Sequence, residues 1–407
     1  MSETVIVAAR RTPIGSFQGA LSSLSAPQLG SLAIKACLEK GQVPPEAIDD
    51  VIMGNVLTAG VGQAPARQAA LGAGLPQKTT CLTLNKVCGS GLMSVALAHQ
   101  MIQTGASEGI VAGGQESMTQ TPYLLPDARA GYRLGHQRVV DGIIKDGLWD
   151  VYNDFHMGNA AELCAREKNC SRQDQDRFAL ESYHRARRAI KEGYFKEEIT
   201  PVSIPSNAVR RAHGTSGAGG ADPKGETIVD TDEEPMKADL EKLPTLKPAF
   251  QKDGTVTAGN ASSLNDGAAA VILMSASRAQ SLHLKPMAKI LGYATVARAP
   301  EWFTMAPSDA IEKNLSQLHL KTSNIDLFEI NEAFSVVSLC NMAKLHLDPQ
   351  RVNIHGGAVA LGHPIGASGT RILVTLLHAL KRTQGKKGLA SLCIGGGEAI
   401  SMVIEMC

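Results

Sequence analysis

The chain has 407 residues, 43% hydrophobic and 19% charged, enough to bury sizeable cores in two or three domains. Its formal net charge is +1, which removes any global electrostatic argument for a nucleic-acid or membrane-surface protein. The eight cysteines form no CxxC pair and no Cys/His set with zinc-finger spacing. Neither a structural metal nor a disulfide framework is therefore expected, and free thiols in a reducing compartment fit better.

The N-terminus runs from Met1-Ser2-Glu3 almost directly into an apolar stretch at 5–9. No secretory, transit or membrane-spanning pattern precedes it, and Glu405-Met406-Cys407 is not a peroxisomal tripeptide, so the cytoplasm is the expected location. Stretches 5–9, 51–53, 80–84 and 110–112 read as strands. Residues 27–40 read as a helix with Pro27 at its start and Gly41 just past its end. Residues 91–103 are apolar nearly all round, the pattern of a buried helix, with a stop near Gly105.

Residues 118–250 are richer in charge and in turns such as Leu125-Pro126-Asp127. The basic run at 185–188 reads as a solvated helix face. The glycine-rich stretch 214–223 has the composition of a mobile surface loop. The region reads as an insertion covering an active-site face. The last 140 or so residues return to alternating elements, with strands at 271–274, 289–292, 327–330, 352–354, 389–394 and 400–404, and helices at 310–318, 333–343 and 367–380. The resulting division is 1–117, an insertion at 118–250, a return to the first half at 251–270, and a second half at 271–407, all of layered α/β class.

Three distant segments place reactive side chains on glycine-rich turns: 85–91, 362–366 and 393–397. Cys88 precedes the helix at 91–103, where unpaired amides and the helix dipole favour a thiolate and lower its pKa. Taken alone it fits a buried structural cysteine equally well. His363, between Gly362 and Pro364, can take the proton of such a thiol, although most of the 11 histidines, His99 among them, must serve packing. Cys393 ends a strand just before Gly395-Gly396-Gly397, whose amides converge as an oxyanion hole needs. Asn331 stands at a strand-to-helix junction, where it fits either a ligand-orienting amide or a helix N-cap. Cys88 and His363 each precede a glycine-rich turn and an apolar helix, an echo that fits two related halves.

Together with Val7–Gly15, Gly113–Met118, His156-Met157-Gly158 and Thr257–Ser262, these segments resemble the thiolase family along the whole chain. The resemblance implies a five-layered α-β-α-β-α fold of two similar halves with an inserted loop domain. It also implies CoA thioester substrates with no permanently bound cofactor and no metal. Cys88 would be acylated after His363 takes its proton, and Cys393 would move a proton at carbon. His363 and a water on Asn331 would hold the enolate oxygen, and the amides of Cys88 and Gly395 the tetrahedral oxyanion.

By the same resemblance His156 and Ser262 would contact pantetheine and Met157 would narrow the acyl pocket. Leu148, Phe250, Ala258, Leu264, Ala333 and Phe334 would complete the substrate contacts. The segment 141–148 resembles a short-chain subgroup that forms tetramers, dimers of dimers, which makes acetoacetyl-CoA the expected substrate and a broad-chain 3-ketoacyl-CoA the alternative. Three features depart from the pattern. The 214–223 stretch is longer than the usual loop, Leu163 replaces a common asparagine, and no arginine faces the adenine end of CoA, leaving Lys237 as the candidate. Phe303 falls where many short-chain members carry methionine, and members with an aromatic there accept 2-methyl-branched substrates. The rival readings are a CoA-binding protein without turnover and a decarboxylating ketosynthase, which lacks the second thiol.

Overall fold

The computed structural model describes residues 3–205 and 225–407; the stretch expected as a surface loop, 214–223, lies outside them. Near-continuous apolar runs form central strands buried on both faces, as expected where helices cover a sheet from either side, while the edge strand Thr80–Leu84 is partly exposed. The main strands are β1 (Thr4–Arg11), β2 (Asp50–Gly54), β3 (Thr80–Leu84), β4 (Gly109–Ser117), β5 (Asn265–Ser275), β6 (Ala288–Ala297), β7 (Leu327–Ile330), β8 (Lys387–Ile394) and β9 (Glu398–Met406). The first half runs β1-β5-β4-β2-β3, with the first two pairings antiparallel and the last two parallel. The second half runs β6-β9-β8-β7 in the same sense. A lone parallel bridge, Phe328 to Val352, stands where β3 stands in the first half.

The strand expected at 352–354 is thus reduced to that bridge. Asn353 turns the backbone left-handed at φ 48°. Its side-chain amide then substitutes for strand backbone, accepting from Ile330 N at 2.9 Å and donating to Ile330 O at 2.8 Å. The two half-sheets also join edge to edge, Val5 opposite Lys289 and Ile6 opposite Ala288, and the short strand Gly15–Ser16 adds to β5.

Eight helices matter for the site: α1 (Ala26–Gly41), α2 (Pro65–Gly72), α3 (Ser90–Thr104), α4 (Met157–Glu167), α5 (Arg172–Lys191), α6 (Ala306–Gln317), α7 (Ser335–Leu345) and α8 (Ser368–Thr383). Leu29, Ala33, Ile34 and Cys37 of α1 pack with Ala66 and Ala69 of α2 on one face of the first half-sheet. Between the halves, α3 and α8 bury Leu92, Val95, Ile372, Leu373, Leu376 and Leu377 against both sheets. Each such side chain contributes about 1.5–3 kcal/mol on burial. Ile311 and Leu315 of α6 and Leu345 of α7 cover the other face of the second half. The five layers are these.

Several element ends differ from expectation, and two show why. Helix α1 includes Gly41, because the left-handed stop is Gln42 at φ 54°. Helix α7 starts at Ser335, not 333, because Phe334 bridges Ala261 and the Ala333 carbonyl accepts from Ser262 N at 3.0 Å. The basic run at 185–188 is only in part a solvated face: Arg188 is exposed, but the other two arginines are drawn inward. Arg185 is buried and donates to Val352 O at 2.7 Å, and Arg187 donates to Pro235 O at 2.7 Å. Backbone carbonyls left open at two chain turns recruit these guanidiniums.

Arg11, at the end of β1, is fully buried. Its Nε donates to Glu198 at 2.7 Å, and Nη1 and Nη2 donate to Asp232 at 2.7 and 2.9 Å. Both carboxylates belong to the charged region at 118–250, so one ion cluster fastens that region to the first half. Removing one partner of a buried pair leaves a charge without compensation. Asp232→Ala should therefore cost about 3–5 kcal/mol in denaturant-induced unfolding; a loss below about 0.5 kcal/mol, the range of ordinary surface substitutions, would contradict this fastening role.

Candidate active site

The first turns of α3 and α8 touch backbone to backbone. A Cβ on Gly91 would lie 2.8 Å from Thr370 N, and one on Gly369 would lie 2.4 Å from Leu92 N. Only glycine fits either position. Thr370 Oγ1 closes the contact by donating to Gly91 O at 2.8 Å. The residues just before these two helices therefore emerge together, and they carry Cys88 and His363.

Both side chains, with Cys393 at the end of β8 and Gly395 beyond it, line one cavity of about 570 Å³. The cavity also takes in Leu148, His156, Met157, Phe250, Ala258, Ser262, Leu264, Phe303, Ala333 and Phe334. Two expected residues stand outside its wall. Asn331 is 1% exposed with both side-chain atoms lacking a protein partner, while its backbone N donates to Ser391 O at 2.9 Å. It is not an N-cap, since that position of α7 is Phe334. Lys237 is turned elsewhere: its Nζ donates to Glu233 at 2.9 Å and to Ser16 Oγ at 3.0 Å, a helical i,i+4 pair that the CoA reading of this residue did not weigh.

The hydrogen-bond network around His363 favours one tautomer. Ser368 Oγ donates to Pro364 O at 2.9 Å, so its oxygen accepts from His363 Nδ1 at 2.6 Å. The proton is on Nδ1, and Nε2, which has no protein partner, is the free base. Burial, helped by the Arg371 charge, pushes the pKa down to about 3, so the ring is neutral near pH 7.

Burial also pushes Cys88 up to about 11 against the pull of the Gly395 and Cys88 amides, which hydrogen-bond its sulfur. The lowering expected from the helix start is thus reversed, because desolvation outweighs the local amides. Cys393 is raised well above an ordinary thiol by burial and by the neighbouring Cys88. The resting site holds two neutral thiols and a neutral imidazole.

One stretch of the cavity wall is aromatic. His156 stacks on Phe250 at 4.8 Å, and Phe334 meets Phe250 and Phe303 edge-on at 6.2 and 6.5 Å. His156 also caps α4, its Nδ1 accepting from Gly158 N at 3.0 Å. Sequence reading missed Ser368, Glu116, Phe17 and Gln18. The Glu116 carboxylate, pushed up to about 7 by burial, accepts from Gly366 N at 2.9 Å, Val56 N at 3.1 Å and Asn55 Nδ2 at 2.7 Å. It holds the turn after His363 in place, and its signal was an acid in the polar end, Gln115-Glu116-Ser117, of a strand that begins apolar. Phe17 and Gln18 line the cavity with no sequence signal. Among the described residues no group of three or more His, Cys, Asp or Glu could hold a metal.

A duplicated α/β half and a cavity shared by two thiols and an imidazole define a class of acyl-transfer protein. Residues 4–277 match the thiolase N-terminal domain and residues 284–406 the thiolase C-terminal domain. The chain belongs to the thiolase family. It is 52% identical to acetyl-CoA acetyltransferase 1 of Arabidopsis thaliana, over 99% of this chain and 94% of that one. Among solved structures, a thiolase from Ascaris suum in complex with coenzyme A superposes with a TM-score of 0.91 at 42% identity, covering 100% of both chains. The acetyl-CoA acetyltransferase of Bacillus anthracis gives 0.93 at 39% identity, covering 100% of this chain and 99% of the other.

The thiolate is the reactive form of a cysteine. With Cys88 at about 11, alkylation by iodoacetamide should climb about tenfold per pH unit from about pH 7 to about pH 9. A plateau near pH 8 would show that the amides outweigh burial after all.

Proposed function

We propose that the protein is an acetyl-CoA C-acetyltransferase, running the reversible condensation of two acetyl-CoA to acetoacetyl-CoA and CoA through an acetyl-Cys88 intermediate. The observation that carries the reading is the meeting of Cys88, Cys393 and the free Nε2 of His363 in one cavity. The names of the relatives and the coenzyme A complex above support the substrate class.

His363 Nε2 takes the Cys88 proton as the sulfur attacks the thioester carbonyl. The tetrahedral oxyanion sits at the amides of Cys88 and Gly395, which already point at that sulfur. As the tetrahedral adduct collapses, Cys393 gives its proton to the departing CoA sulfur. The resulting Cys393 thiolate is strongly basic because it is buried, and it removes the α-proton of a second acetyl-CoA. The new carbanion attacks acetyl-Cys88, the acyl–sulfur bond breaks, and His363 returns a proton to Cys88. An unpaired buried amide costs about 1–3 kcal/mol per group, so the retention of such an amide at Asn331 supports its assignment, through a water, to the enolate oxygen. The acyl end, closed by Met157, Phe303 and Phe334, favours a short chain.

We extend the proposal to assembly and location. Strand β3 is an open sheet edge with Leu82 exposed, and the ribbon joining Tyr123–Leu124 to Val140–Asp141 presents Leu134 at 98% exposure. Such features invite partner subunits, which fits a homotetramer built as a dimer of dimers. The eight free cysteines fit a reducing compartment such as the cytoplasm, and among the described residues no helix is long and apolar enough to cross a membrane. In this reading residues 118–250 are the inserted domain over the substrate.

Cys88→Ala should abolish both acetyl-enzyme formation and thiolysis of acetoacetyl-CoA. Cys393→Ala should still form acetyl-enzyme from acetyl-CoA, more slowly, because the CoA sulfur can leave as a thiolate without the Cys393 proton, yet lose carbon–carbon bond formation by about 100-fold or more, the usual loss of an acid–base group. Equal loss of both steps in the two variants would contradict the division of labour. Turnover of longer 3-ketoacyl-CoA as fast as acetoacetyl-CoA would move the reading to a broad-chain degradative enzyme, and capture of acetyl groups without turnover to a binding protein.

A further inference from the structure

A second cavity, of about 710 Å³, shares no lining residue with the first. Its wall includes Cys170, in the turn between α4 and α5, and Cys340 on α7, beside the charged groups of Lys168, Arg177 and Lys344. Cys164 of α4 is fully buried in the same apolar cluster as Cys340, and Cys170 packs against that cluster. The Cys340 thiol is hydrogen-bonded to both of the other sulfurs. Cys170 alone of the three is half-exposed, so it is the sulfur that a reagent entering the cavity reaches first. The Cys340 neighbour holds the Cys170 pKa below that of an ordinary thiol, while against the lowering pull of Cys164 the Cys170 neighbour and burial push Cys340 up to about 12.

This is the arrangement of an attacking thiolate with a second thiol in reserve, and the condensation reaction uses none of the three. We propose that Cys170 and Cys340 form a redox site whose co-substrate is a hydroperoxide. The Cys170 thiolate attacks one peroxide oxygen, the O–O bond breaks, and hydroxide or alkoxide leaves and takes a proton from water. Sulfur is oxidised to the sulfenic acid and the peroxide is reduced. The Cys340 sulfur then attacks Cys170, the S–O bond breaks, and water leaves carrying the Cys340 proton. The product is a Cys170–Cys340 disulfide. It ties the turn after α4 to α7, and these helices begin at His156-Met157 and Phe334, which line the substrate cavity. The cross-link therefore joins two walls of that cavity from behind.

The site is tested on the full-length protein without reference to its turnover. Protein exposed to hydrogen peroxide at neutral pH is blocked with iodoacetamide, digested without reduction and mapped by mass spectrometry. A peptide pair joined through Cys170 and Cys340, lost on treatment with dithiothreitol, is expected. In Cys340→Ser the sulfenic acid should persist on Cys170 and take up dimedone; in Cys170→Ser, Cys340 should take up none. Absence of the joined pair, with no dimedone on Cys170 in Cys340→Ser, would overturn the proposal. Dimedone on Cys340 in Cys170→Ser would overturn the assigned order.

Discussion

Where α3 and α8 meet, two glycines let one helix start lie directly on the other, and the placement of the reacting groups follows from that contact. Gly91 faces Thr370 N and Gly369 faces Leu92 N, so neither helix can be moved without separating the segments that precede them. Those segments end in Cys88 and His363. The duplicated sheet topology makes the arrangement near-symmetric: each half sends one buried helix to the centre, and each supplies one side chain to the cavity from just ahead of that helix. The edge pairing of β1 with β6 holds the halves in the same relation from the other side.

Burial sets the electrostatics of the site. Both thiols and the imidazole are held neutral by desolvation, so no ion pair has to be dismantled before chemistry begins. A proton can pass from sulfur to Nε2 only when charge develops on a bound thioester, which is where preorganised amides act most strongly. The supports behind the site are buried polar groups of the same kind. Ser368 fixes the histidine tautomer, Glu116 fixes the turn that follows it, and the Arg11 cluster anchors the covering region. Arg371, beside Glu329 at 3.7 Å, adds a buried positive charge that disfavours protonation of His363.

Much of this was legible in the sequence, for identifiable reasons. Apolar runs of strand length and an all-round apolar helix mark β1–β4 and α3, and glycines beside Cys88, His363 and Cys393 mark turns that carry chemistry. What stayed hidden depends on contacts between distant residues. The pKa of Cys88 was argued from its own helix, whereas the outcome is decided by everything packed over it. Arg185 reads as a surface charge until the carbonyls of the 349–353 turn are in place around it. For Lys237 the i,i+4 spacing to Glu233 is legible in the sequence, whereas the bond to Ser16, 221 residues away, is not. Asn353 replaces a strand with a side chain, which no periodicity reveals.

The central claim is that the glycine contact between α3 and α8 places Cys88 against His363. Alanine is a better helix former than glycine, so Gly369→Ala opposes the fold only through that contact. The measurement is the rate of Cys88 acetylation from labelled acetyl-CoA in Gly369→Ala protein whose circular dichroism matches the parent. The account predicts a fall of about 100-fold, the loss expected from displacing reacting groups by about an ångström. Acetylation at the parent rate would show that the two segments are positioned by something other than this contact.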